Sequence, residues 1–137
     1  DPNFNEKEFL KGAQNFFEMV IDSFVKGNLS NIVDYIDGKL VKSFQMVIDE
    51  RLKEEEVLKI EIININSVKI KNVKNLKNFL RLSVLFETEQ IKALKDKNGK
   101  VIDGNPKESI LVKDLWTFEK DIKSTDMNWK LVETSDA

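Results

Sequence analysis

Apolar positions Phe9, Ala13, Phe16, Phe17, Val20 and Phe24 recur at spacings of three and four, which is one face of a helix. Asn5 followed three residues later by Glu8 has the form of a capping box, and Gly27 ends the pattern. Leu29, Ile32, Val33 and Ile36 make a second, short apolar face. Asp37 can cap a third helix, on which Leu40, Phe44, Val47, Ile48 and Leu52 share a side. The acidic run Glu54, Glu55 and Glu56 marks the way out.

From Val57 the period changes to two. Leu58, Ile60 and Ile62 alternate, then Ile63 and Ile65 take the other phase, then Val68 and Ile70. Such a phase slip predicts a bulge that bends the strand. The next strand pattern runs from Phe79 to about Leu94. Kept straight, it would span roughly 50 Å at about 3.4 Å per residue, too long for a chain of this size, so the sheet must bend. Asp96 to Lys100 supplies a hairpin turn, because Asn98-Gly99 tolerates positive φ. Gly104-Asn105-Pro106 breaks the chain before a strand from Ile110. The stretch from Lys113 to Ile122 then enters a turn over Ser124 to Asn128 and leaves as Trp129-Lys130-Leu131-Val132, so both tryptophans flank one turn. Helices first and curved antiparallel strands afterwards is an α+β arrangement, each layer covering the other's apolar face.

Composition narrows the function classes. The 137 residues predict one domain over 1–137, large enough to bury roughly two-thirds of its unfolded surface. No apolar run approaches the ~18 residues of a membrane span, and nothing at the start reads as a signal peptide. The chain opens on Asp1 rather than Met, so an upstream segment is expected to be missing from it. It contains no cysteine and no histidine. That removes disulfides, thiolate nucleophiles, the usual neutral-pH general base and the commonest zinc ligands together. The net charge of −2, with Arg51 and Arg81 as the only arginines, argues against nucleic acid as a partner. No phosphate-binding glycine loop is present, and neither Glu54 to Glu56 nor the Asp121 and Asp126 pair has calcium-loop spacing. No metal and no cofactor is expected.

Three features carry candidate chemistry, each with a plainer structural alternative. Phe4 and Phe9 open a helix dense in aromatics. They could insert among lipids, with Lys7, Lys11 and Lys26 meeting headgroups, whereas Phe16, Val20 and Phe24 are expected to pack on the sheet. Lys69, Lys71, Lys74 and Lys77 surround a turn, with no acidic residue between Val68 and Leu85. They suit an anionic membrane or simple protection of a sheet edge. Lys92, Lys95, Lys97 and Lys100 form a second cluster at the other end of the long strand, and both ends cannot face one flat membrane. Asp114 lies in phase with Ile110, Val112, Trp116 and Phe118. A buried carboxylate there would have a raised pKa and could act as a general base, with Tyr35 as the conceivable electrophile; more commonly such an Asp sits at a sheet rim.

Two segments resemble a known family. Asp1-Pro2-Asn3-Phe4-Asn5, Phe9-Leu10 and Val25-Lys26-Gly27-Asn28 resemble the start of the C-terminal domain of the mitochondrial import-motor scaffold, the Tim-forty-four-like family. Asp114-Leu115-Trp116-Thr117-Phe118-Glu119 and Asn128-Trp129-Lys130-Leu131-Val132 are similar to its end, in the bacterial form. The hairpin from Asp96 to Gly104, with Pro106, is similar as well. The resemblance implies a nuclear-transport-factor-two-like cone of helices on a strongly curved sheet. It further implies a non-catalytic scaffold at the inner membrane, on its cytoplasmic face. Its partners would be anionic lipid and a protein of the translocation machinery, with a homodimer as a further possibility. In this reading Phe4, Phe9, Lys69, Lys71, Lys74 and Lys77 meet the membrane. Phe16, Val20, Val84, Phe86, Asp114, Trp116 and Phe118 line a pocket between helices and sheet. The alternative is an isomerase or dehydratase using Asp114.

Overall fold

The structure is a computed structural model that describes residues 4–123 and 129–137. The expected turn over Ser124 to Asn128 lies outside the described residues. Helix α1 spans Glu6–Lys26, and the Asn5 side chain accepts a hydrogen bond from the Glu8 N–H at 3.1 Å. Glu6 and Glu8 in the first turn and Lys26 in the last complement the helix dipole. Gly27 closes the helix at φ 75°, with N–H bonds from Gly27 to the Phe24 carbonyl and from Asn28 to the Ser23 carbonyl. That left-handed residue satisfies carbonyls a continuing helix would leave open.

The short helix expected over Leu29 to Ile36 is instead a single 3-10 turn, Val33–Tyr35. The Asn28 side chain accepts from the Ser30 N–H, a local turn that competes with helix nucleation. Leu29, Ile32 and Ile36 are nevertheless buried. Helix α2, Gly38–Lys53, starts at Asp37, whose carboxylate accepts from the Lys39 N–H at 3.1 Å and whose own N–H donates to the Leu131 carbonyl at 2.8 Å. Of the five apolar residues expected on its inner side, Ile48 is fully buried while Val47 and Leu52 are exposed. The helix packs by a narrower stripe than its sequence periodicity suggests.

Arg51 of α2 is buried and donates to the Phe24 and Val25 carbonyls at 2.6 and 3.2 Å, with its guanidinium 5.1 Å from the Phe24 ring centroid. It therefore locks the end of α1 to the end of α2. Arg51→Met is expected to lower the unfolding free energy by about 1.5–3 kcal/mol, the range for hydrogen bonds involving a charged group. Urea denaturation checks this; a loss below about 0.5 kcal/mol would place the lock elsewhere.

The strands are β1 (Val57–Asn75), β2 (Phe79–Lys95), β3 (Val101–Gly104), β4 (Ile110–Asp121) and β5 (Lys130–Asp136). They form one antiparallel sheet in the order β1-β2-β4-β5, with β3 paired to β2 beyond the reach of β4. The expected bend appears as register shifts in β1 between Ile62 and Asn64, Ile65 and Ser67, and Ile70 and Asn72. Gly104, at φ 75°, has no room for a side chain: a Cβ would lie 2.2 Å from the Lys92 carbonyl oxygen. The curved, unclosed sheet and its two helices make an α+β fold consistent with a nuclear-transport-factor-two-like cone.

Pairing register assigns the faces. Leu82 opposes Phe118, Val84 opposes Trp116, and Phe86 opposes Asp114, all on the helix-facing side. Phe17 of α1 is fully buried at the centre of that side. Its ring stacks on Phe86 at 4.3 Å and tilts against Trp116 at 4.7 Å.

Candidate functional site

Phe17 decides where open space remains. Because its ring fills the middle of the sheet, Val84 and Phe86 are wholly enclosed in the core. The single deep pocket expected from the sequence is replaced by clefts on either side of Phe17. Of the other expected pocket residues, Phe16 and Phe118 line one cleft, and Val20, Asp114 and Trp116 line another.

The first cleft, about 370 Å³, lies at the N-terminal end of α1. Phe9 meets Trp129 with ring centroids 4.9 Å apart and Phe118 at 5.9 Å. Phe4 packs on Phe9 at 5.7 Å and on Trp129 at 6.4 Å. Phe9 is thus a half-buried wall of the cleft, and Phe4 is its exposed lip. Tyr35 and Glu8 also line it, and the Lys120 ammonium sits 5.9 Å from the Trp129 ring centroid.

The lysine hairpin lies at this same end. Asn75 opposes Leu80, Phe79 opposes Asp121, and the Ile122 N–H donates to the Asn78 carbonyl at 3.1 Å. The β1–β2 tip therefore adjoins the end of β4, three residues from Phe118. Lys71, Lys74 and Lys77 are exposed there and form no ion pair among the described residues. Lys69 stands apart: it opposes Leu85 on the outer side and pairs with Glu87 at 3.8 Å. The second lysine cluster, including Lys95, Lys97 and Lys100, flanks the β2–β3 hairpin at the opposite end of the sheet.

The other cleft, about 450 Å³, lies between the C-terminal half of α1, α2 and the far ends of β4 and β5. Val20, Phe24, Phe44, Val47, Ile60 and Trp116 give it apolar walls, and Asp114 and Asp136, cross-strand partners, close one end. Burial pushes the Asp114 carboxyl up, the Lys92 ammonium opposes that shift, and Asp136 adds to it. A carboxyl raised in the folded state favours folding below the ordinary carboxylate range and loses that contribution as pH climbs through the raised value. Asp114→Asn is accordingly expected to be more stable than the parent at pH 7, with the difference shrinking as pH falls towards 3 and the Asp114 carboxyl takes up its proton. Parallel urea titrations at the two pH values check the sign. Tyr35 is not brought to Asp114: they line different clefts.

Sequence reasoning missed Trp129 and Lys120 in the first cleft and Phe24, Phe44, Val47 and Asp136 in the other. A signal existed for two of them. Trp129 is in phase with Leu131 and Lys120 with Phe118, and both reference residues are buried on the helix-facing side.

Helices packed on a bent antiparallel sheet are the architecture that the two terminal motifs implied. A family model for the Tim44-like domain matches residues 1–136. The chain belongs to the Tim44-like domain family. A probable mitochondrial import inner membrane translocase subunit, tin-44 of Caenorhabditis elegans, is 23% identical over 137 residues, covering 97% of this chain. The match takes in 32% of that relative, so this chain spans about a third of its length. Among solved structures, the intermembrane space region of the chloroplast protein ARC6 superposes with a TM-score of 0.59 at 12% identity, covering 93% of this chain and 95% of that one. At that identity the likeness concerns the fold alone. No helix among the described residues is long and apolar enough to cross a membrane.

Proposed function

We propose that this Tim44-like domain is a non-catalytic docking unit of a protein-translocation scaffold. It sits peripherally on the cytoplasmic face of an inner membrane, binding anionic lipid and a protein of the translocation machinery. The observation that carries the membrane half is the coincidence of the lysine hairpin and the aromatic cleft at one end of the sheet, set by the Phe79 to Asp121 pairing and the Phe9 to Trp129 contact. Lys71, Lys74 and Lys77 would meet headgroups, each contributing on the order of 1 kcal/mol near an anionic surface. Phe4 would meet the acyl boundary, and Phe9 would hold the cleft open behind it. Lys69, already paired with Glu87, would contribute less. The translocation half rests on family membership and on the printed name of the C. elegans relative.

Flotation with neutral and with cardiolipin-rich vesicles, at low and high salt, tests the membrane half. The expected result is binding to the anionic vesicles alone, lost as salt screens the lysines. Equal binding to neutral vesicles, or none to either, would remove the lysine hairpin from the account.

A further inference from the structure

We propose that the cleft closed by Asp114 and Asp136 binds a small amphiphilic cation: one ammonium or guanidinium group carried on an apolar body. The walls set the apolar requirement. Phe24 and Val20 from α1, Phe44 and Val47 from α2, Ile60 from β1 and Trp116 from β4 are uncharged, and the volume of about 450 Å³ suits a small ligand. The closed end sets the charge. Asp114 and Asp136 face each other across the β4–β5 pair. Asp114 is half-buried, and its carboxylate makes no hydrogen bond or ion pair among the described residues. A half-buried carboxylate without a partner costs free energy that an arriving cation recovers.

One internal cation, Lys92 of β2, reaches Asp114 electrostatically without forming an ion pair with it. Two carboxylates against one ammonium leave a net negative end, while α1, α2 and β1 contribute no charged lining residue. A fatty acid would therefore be repelled and a neutral lipid tail would leave Asp114 unpaired. The first cleft lacks this polarity, since its charged lining residues, Glu8 and Lys120, have opposite signs. The inference stands apart from membrane docking, which uses the other end of the molecule.

The probes are n-decylamine, n-decanol and decanoate, titrated into the whole chain at pH 7 by calorimetry and followed by emission in its Trp129→Phe variant, where Trp116 in the cleft wall is the one remaining tryptophan. Decylammonium is expected to bind saturably, decanol more weakly and decanoate not at all. Asp114→Asn should weaken decylammonium at least tenfold, and Asp136→Asn less. Because Asp114→Asn is expected to be no less stable than the parent, loss of binding in it reports the lost charge rather than unfolding. The proposal is overturned if decylammonium fails to bind saturably, if decanoate binds as well, or if an Asp114→Asn, Asp136→Asn double variant binds decylammonium like the parent.

Discussion

Phe17→Ala is expected to lower the unfolding free energy by about 3–5 kcal/mol, the usual cost of removing a buried aromatic ring. The reason is position as much as volume. Phe17 is fully buried and stacks on Phe86 at 4.3 Å while touching Trp116 at 4.7 Å. Those two side chains lie on neighbouring strands, so one ring fastens α1 to the centre of the sheet. Removing it would also leave a cavity against Phe86 and Trp116, which close packing around them keeps from collapsing fully. A domain of this size has about 5–15 kcal/mol in all, so the substitution removes a large share of the total. Phe16→Ala, next door, should cost much less, because Phe16 is only half-buried and lines the first cleft. Equilibrium urea unfolding of both variants checks the pair; equal costs would mean that α1 is held elsewhere.

The combined Lys71→Gln, Lys74→Gln, Lys77→Gln variant is expected to lose roughly 100-fold in affinity for anionic vesicles at low salt. Three lysines at about 1 kcal/mol each make about 3 kcal/mol, a little over two decades. All three are exposed and form no ion pair among the described residues, so folding should be unaffected. The matching change at Lys95, Lys97 and Lys100, at the opposite end of the sheet, should leave binding nearly intact. Vesicle co-sedimentation of the two triple variants measures the contrast, and equal losses would show that net charge, not the hairpin end, governs adsorption.

Much of the fold was legible because its signals are local. The Asn5 cap, the Gly27 stop and the spacing from Phe9 to Phe24 define α1 without reference to the rest of the chain. The phase slip from Ile62 to Ile63 announces a bent β1. The failures were non-local. Phe16 and Phe17 both lie on the apolar face of α1, and nothing in the spacing says which ring enters the centre of the sheet. That choice turned Val84 and Phe86 from expected pocket residues into core. Likewise, the sequence favoured the Lys69 to Lys77 cluster for the membrane but could not say which cleft that cluster adjoins. Only the pairing of Phe79 with Asp121 brings it beside Phe118 and Trp129. The Asp114 to Asp136 pair follows from a register that shifts between Thr117 and Phe118, which no periodicity encodes. The 3-10 turn at Val33 departs from its apolar pattern where the Asn28 side chain accepts from the Ser30 N–H, a local bond that competes with a helical start.

The most direct test of the membrane orientation uses the two tryptophans, since Trp129 lies in the cleft beside the lysine hairpin and Trp116 in the wall of the other. Single-tryptophan variants, Trp116→Phe and Trp129→Phe, would be bound to anionic vesicles whose acyl chains carry bromine near the headgroup. Strong quenching of Trp129 and little of Trp116 is the expected result. Quenching of Trp116 at least as strong as that of Trp129, in protein that is bound, would contradict it.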